Sequence, residues 1–148
     1  MDTIDQAILR ALTKDGRASI PELARDLHIS RANAYARVQR LVDSHALDRF
    51  TIDVDPAALG LRVAAYVGLK VVNHHWQSIF DELSTIDGVD HVALCTGEVD
   101  VMVLLRASDV STLRDLVLEQ ISRIEGVLST HTTLILEERR FGVVPAEE

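Results

Sequence analysis

The chain has 148 residues, 47% of them hydrophobic, and a formal net charge of −8. That length buries a core as one domain or as two small ones, and the lone Cys95 excludes both an internal disulfide and a zinc site built on paired thiolates. The charge is unevenly spread: residues 1–50 hold eight Lys/Arg and seven Asp/Glu, whereas the rest hold seven and sixteen.

From the amino end, Ile4, Ile8, Ala11 and Leu12 repeat at helical spacing behind an Asp2 cap, and Gly16 ends the run. The stretch Ser19-Ile20-Pro21-Glu22 is a capping box with proline in the first turn, where an N–H has no helical partner to lose. Ile20, Leu23, Ala24 and Leu27 form the apolar face of this second helix. Ser30 caps a third helix, whose expected buried face is Ala34, Val38, Leu41 and Val42. Its other face carries Arg31, Asn33, Tyr35, Arg37 and Arg40, with no acid between Ser30 and Val42. Three short helices with a tight turn before a basic third one fit a helix-turn-helix that lays its last helix in the major groove of DNA. An amphipathic helix with a solvated basic face is the bland alternative. An acidic chain can still bind DNA through a local basic patch, because charges beyond about 10 Å are screened at 0.1 M salt.

Arg49 to Val54 alternates enough to predict a short strand, as in a winged headpiece. Asp55-Pro56-Ala57-Ala58-Leu59-Gly60 predicts one helical turn with a cap, an N1 proline and a terminal glycine. The expected division is a headpiece over 1–50, a linker over 51–62 and a second domain over 63–148. In that domain Leu83-Ser84-Thr85-Ile86-Asp87-Gly88-Val89 is echoed by Ile121-Ser122-Arg123-Ile124-Glu125-Gly126-Val127. Each copy reads as a helix end, a left-handed glycine cap and the first residue of a strand. Strand-like runs at Ala64–Val72, Val89–Thr96, Val101–Ala107 and Val127–Leu136 complete the order βαββαβ, a ferredoxin-like sandwich. The fold class expected is therefore α+β. The helix-free sheet face should expose Val, Leu and Ile, and pairing of two sheets across a dimer axis would cover it, burying ~1,200–2,000 Å².

With these motifs in place, the chain resembles the Lrp/AsnC (leucine-responsive, feast/famine) transcription regulators from about Thr3 to Arg139. The resemblance rests on Ile4-Asp5-x-x-Ile8-Leu9-x-x-Leu12, Asp15-Gly16-Arg17, Glu22-Leu23-Ala24, Ser30, Arg37-Val38-x-Arg40-Leu41 and Gly97-Glu98-Val99-Asp100. It implies a regulator that binds double-stranded DNA, self-associates to a dimer and on to tetramers or octamers, and responds to a small effector, usually an amino acid. It also implies an effector site at Gly97, Glu98 and Asp100; Thr130 and Thr132, on one face of the last strand, would line the same pocket. Two departures stand out: His28 and His45 occupy turn positions where the family usually has glycine. Histidine tolerates left-handed backbone, at a cost of about 1 kcal/mol. Arg49 likewise replaces a common wing glycine and adds a charge there.

For DNA, Ser30, Arg31, Ala32 and Asn33 make the first turn of the recognition helix, which meets base edges. Arg31 suits guanine and Asn33 adenine. Arg37 and Arg40 are expected on phosphate unless one pairs with an acid such as Asp43, and Tyr35 on the duplex or on the first helix. An alternative is an enzyme similar to the siroheme decarboxylases, which share this two-domain plan, with His91 and His131 as its candidates. No nucleophile–base pair supports it, no metal spacing connects the six histidines, and His74-His75 beside Asn73 read as helix-start surface residues. No catalytic residue, cofactor or metal is expected. A ligand-free architectural DNA-binding protein is a third reading. The amino end lacks the basic and apolar regions of a signal peptide, and the apolar run from Val63 to Val72 contains Lys70 and is too short to span a bilayer. The expectation is a soluble cytoplasmic protein with no membrane partner.

Overall fold

A computed structural model describes residues 1–72 and 76–139. The chain divides into two compact units, one over residues 1–53 and one over 54–138. The reading of His74 and His75 lies outside the described residues.

The first unit is three helices, α1 Thr3–Lys14, α2 Ile20–Asp26 and α3 Arg31–Asp43. Each begins where a side chain accepts an otherwise unpaired first-turn N–H: Asp2 from Asp5, Ser19 from Glu22, and Ser30 from Asn33. The first two are full capping boxes, Glu22 reaching back to Ser19 N–H at 2.8 Å. Ile8, Leu12, Leu23, Val38, Leu41 and Leu47 pack as one core, and Ala34 is fully buried. Val42, expected in that face, lies at its exposed edge.

The turn after α2 closes with His28 N–H on Arg25 carbonyl and Ile29 N–H on Ala24 carbonyl, which is a Schellman motif with His28 left-handed at φ 54°. His45 plays the same part after α3, at φ 56° with its N–H on Val42 carbonyl. Histidine thus does occupy the two glycine-like positions, held there by the hydrogen bonds that glycine would make.

The short strand expected over Arg49–Val54 does not form; these residues are irregular and exposed. Alternation alone cannot make a strand, because a ladder needs a neighbour, and the described remainder of this unit is helical.

In the second unit a 3-10 turn, Pro56–Leu59, has the expected Asp55 cap and ends at Gly60 with φ 82°. Then follow β1 Val63–Val71, α4 Trp76–Leu83, β2 Val89–Leu94, β3 Val101–Ala107, α5 Val110–Asp115 and β4 Val127–Ile135. Beyond α5 the helix continues as a π turn, Leu116–Gln120, and a 3-10 turn, Ile121–Arg123. The sheet runs β2-β3-β1-β4, antiparallel throughout, with its helices on one face. Ala65, Val67 and Leu69 lie opposite Leu105, Val103 and Val101 and are buried under Ile79, Leu83, Leu113, Val117 and Ile121.

Both repeats end as expected in a left-handed glycine, Gly88 at φ 92° and Gly126 at φ 93°. Gly88 is required twice over, because a Cβ there would stand 2.2 Å from the Arg106 carbonyl oxygen. The helix-free face differs from expectation. Alternation directs the branched aliphatics of β1 and β3 to the helices, leaving Tyr66, Gly68 and Lys70 beside Met102, Leu104 and Arg106. Arg106 is buried there, bonded to Asp90 at 2.6 Å and Glu138 at 2.7 Å.

Candidate nucleic-acid interface and ligand site

The Ser30 cap fixes where α3 begins, and so points its first turn outward: Arg31, Ala32 and Asn33 are all exposed. Tyr35 is exposed too, and so is Arg49 in the irregular segment that follows. Arg37 is placed otherwise. Its Nη1 donates to Asp2 Oδ2 and Asp5 Oδ1, each at 2.7 Å, and its Nε donates to Asn33 Oδ1 at 3.1 Å. The side chain keeps only 16% exposure. Arg40 Nη2 reaches both Asp5 oxygens at 2.9 Å while its side chain stays 60% exposed.

Arg37, expected on phosphate, is thus paired with acids in the folded chain. Its partners are acids of α1 and not Asp43, which instead accepts from Gln39. The charges hold one another ionised. Arg37 and the Asp5 N–H bring Asp2 down to about 2, and Asp2 and Asp5 raise Arg37. Burial pushes Asp5 up, but the Asp2 N–H, Arg37 and Arg40 outweigh it and leave its carboxyl below the usual range. Sequence reasoning missed Asp5 as the anchor. The signal was a carboxylate on the same helical stripe as Ile8 and Leu12, which is costly unless a cation meets it.

In the second unit Gly97 and Glu98 are exposed on the turn between β2 and β3, Gly97 at φ 117° with open space around it. Val99 folds back onto Gly68. Asp100 acts as a stitch: its N–H donates to Leu69 carbonyl, while its carboxylate accepts Val71 N–H and Lys70 Nζ, each bond 2.9 Å. Those contacts, the Val71 N–H foremost, lower its carboxyl. They sit at the β1 irregularity between Lys70 and Val71.

Thr130 and Thr132 do share a face. They lie opposite Leu69 and Val67 and line a cleft of about 320 Å³ with Val110, Leu113, Arg114, Val117, Leu118 and Leu134. The turn and Thr130 thus occupy one end of the sheet on either side of Leu69, about 10 Å apart by strand spacing. The cleft lined by Thr130 and Thr132 does not include the turn. His91 and His131 stand exposed on β2 and β4, the two opposite edge strands, so the structure does not bring them together. Among the described residues no group of three His, Cys, Asp or Glu could hold a metal, and no helix is long and apolar enough to cross a membrane.

A helix-turn-helix headpiece followed by a separate βαββαβ unit defines the class of transcriptional regulators that pair a DNA-binding domain with a ligand-binding one. Residues 1–42 match the AsnC-type helix-turn-helix domain, and residues 64–142 match the Lrp/AsnC ligand binding domain. The chain belongs to the Lrp/AsnC family of transcriptional regulators. The HTH-type transcriptional regulator FL11 of Pyrococcus furiosus is 29% identical over 137 residues, 93% of this chain and 90% of that protein. LrpC of B. subtilis is 25% identical with a TM-score of 0.86, covering 96% of this chain and 99% of that one. The regulator NMB0573 of Neisseria meningitidis, in its L-Met complex, shares the fold at a TM-score of 0.90 and 19% identity, over 99% and 96%. The chain is a DNA-binding transcriptional regulator of this family, a reading favoured over the decarboxylase alternative.

Proposed function

We propose that this regulator reads a specific DNA sequence through α3 and that a small effector, an amino acid, changes its DNA affinity or its assembly. The observation that carries the first half is the outward first turn of α3, with Arg31 and Asn33 exposed beside a capped, acid-free helix start. Ser30, Arg31, Ala32 and Asn33 face base edges; Arg40 and Arg49 stand where phosphates pass, and Tyr35 flanks the duplex. Two headpieces of a dimer would meet half-sites one turn apart, ~34 Å. Assembly to dimers, then tetramers or octamers, would supply the several headpieces that a net charge of −8 makes necessary.

For the effector, Glu98 is the exposed acid of the 97–100 turn and the group fitted to an α-ammonium. Asp100 holds the turn in place, Gly97 lets it bend, and Thr130 and Thr132 offer hydroxyls from β4. Because the turn and the β4 cleft stand apart in one chain, a second copy would complete the site, which ties ligand binding to assembly. The amino acid in the structure of the Neisseria relative supports this class of ligand. We further assign the headpiece to 1–50, the linker to 51–62 and the sensor to 63–148, in a cytoplasmic protein.

The test takes the full chain through selection of a randomised duplex pool, then a melting screen against the common amino acids with light scattering. Enrichment of one motif, and one amino acid that raises Tm and changes either mass or DNA retention, is the expected result. A melting screen without a hit would leave a ligand-independent architectural protein; failure to retain any duplex at low salt would end the DNA reading.

A further inference from the structure

Of the arginines and carboxylates between α1 and α3, Arg37 had a ready assignment as a phosphate contact, but its geometry suits another task. Asp2, Asp5, Arg37 and Arg40 together carry no net charge and hold one another by bonds of 2.7 to 2.9 Å. Arg37 Nη1 is directed at the two acids, and its Nε is directed at Asn33 Oδ1, one turn back along the helix. An Nε–H is only a donor, so the Asn33 atom that meets it must be the amide oxygen.

We propose that Arg37 is a positioning residue: clamped by Asp2 and Asp5, it holds the Asn33 oxygen and turns the Asn33 amide NH₂ outward as a fixed donor to a base edge. This rests on the DNA-binding reading above and deepens it. A paired contact to adenine needs an amide that gives one hydrogen bond and takes another. Arg37 takes one of the two lone pairs of the Asn33 oxygen, so the fixed amide still gives to adenine N7 through its NH₂ and accepts from N6 on the other lone pair. The adenine assignment drawn from residue type thus acquires a fixed side-chain orientation. Fixing the side chain before DNA arrives also removes part of the ordering cost of binding.

The cluster makes a second claim about charge. Since Arg37 is matched by acids, it adds little to the attraction for phosphate, and its replacement should barely move the salt dependence. That separates positioning from phosphate contact in one set of measurements.

The experiment uses the full chain and a randomised duplex pool, comparing wild type, Asn33→Ala and Arg37→Lys. Lysine keeps the charge beside Asp2 and Asp5 but has no Nε–H for Asn33. The expected result is that both variants lose preference at the same base position, by about fivefold to a hundredfold. In Arg37→Lys, retention of a fixed, unselected duplex should change less than about twofold, with the same salt slope. Should Arg37→Lys fail to fold, the double variant Asp2→Asn with Arg37→Gln removes the bond with charge balanced, and the same base position should relax. An Arg37 variant that keeps the wild-type preference overturns the proposal. So does a uniform loss on all duplexes with the salt slope smaller by about one in the Asp2→Asn with Arg37→Gln variant, which would make Arg37 a phosphate contact. Wild-type protein that holds duplexes without selecting any motif overturns this inference alone; wild-type protein that holds none removes the DNA reading with it.

Discussion

In the headpiece, Arg37 was expected to face a ligand and is instead bound by acids of another helix. In the sandwich, Asp100 was expected to face a ligand and is bound by the backbone and lysine of another strand. The two cases differ in what remains free beside them. Around Arg37 the exposed polar neighbours are Asn33, Arg31 and the outer part of Arg40, so the helix keeps a surface for DNA. Around Asp100 the exposed charged neighbours are Lys70, which it already binds, and Glu98, an acid on a turn that Asp100 ties down. Both teach that a charged residue in a motif can be the frame and its neighbour the contact.

The strongest way to break the headpiece half is Asp5→Asn. The carboxylate is almost wholly buried and answers Arg37, Arg40 and the Asp2 N–H. Removing one partner of a buried pair strands the other charge, at a cost of 3–5 kcal/mol when the pair is fully enclosed. Here Asp2 keeps Arg37 and solvent reaches Arg40, so about 2–3 kcal/mol is expected. Denaturant unfolding measures it, and a loss within about 0.5 kcal/mol would mean that the cluster is ornamental.

Gly88→Ala is the matching blow to the sandwich, with an effect of similar size. A methyl group there meets the Arg106 carbonyl at 2.2 Å on a residue at φ 92°. Backbone strain alone costs about 1–2 kcal/mol, and the carbonyl must also move. Gly97→Ala has a left-handed backbone but open space, so it should cost less. Equal losses of Tm for these two variants would contradict the packing described.

A smaller, shared effect is on acid stability. Asp2, Asp5 and Asp100 all have folded-state carboxyls below their ordinary values, Asp2 at about 2. In the unfolded chain each takes up its proton near the ordinary aspartate value of about 3.9, so between there and the folded value the unfolded state binds more protons. Their contribution is therefore present above about pH 4 and lost as pH falls toward 2. Melting curves between pH 6 and pH 3 should show Tm falling, and falling less steeply in Asp5→Asn than in wild type. Parallel curves would detach Asp5 from the acid response.

What the sequence made legible was local. The caps at Asp2, Ser19 and Ser30, the histidines in left-handed turns, and the glycines of the two repeats each act over three or four residues. Alternation along β4 placed Thr130 and Thr132 together. What stayed hidden depends on partners far along the chain. Arg37 meets acids 32 and 35 residues away, and Asp100 meets Lys70 and Val71 across the sheet. The segment from Arg49 to Val54 has the pattern of a strand but no ladder to join. The π turn at Leu116–Gln120 lies inside an apolar periodicity that reads as plain helix.

The smallest effect on stability, and the sharpest on function, is expected from Glu98→Gln set against Asp100→Asn. Glu98 is exposed in the turn, so its change should leave Tm unaltered without ligand while weakening the response to whichever amino acid the melting screen identifies. Asp100→Asn weakens the bonds to Lys70 and Val71, so it should lower Tm with no ligand present and blunt the response only by loosening the turn. High ligand concentration should therefore restore the response of Asp100→Asn but not that of Glu98→Gln, because only the second lacks the charge that meets the ammonium group. If ligand titrations restore both variants alike, the ammonium group is held elsewhere, and the frame-and-contact division in the sandwich is wrong.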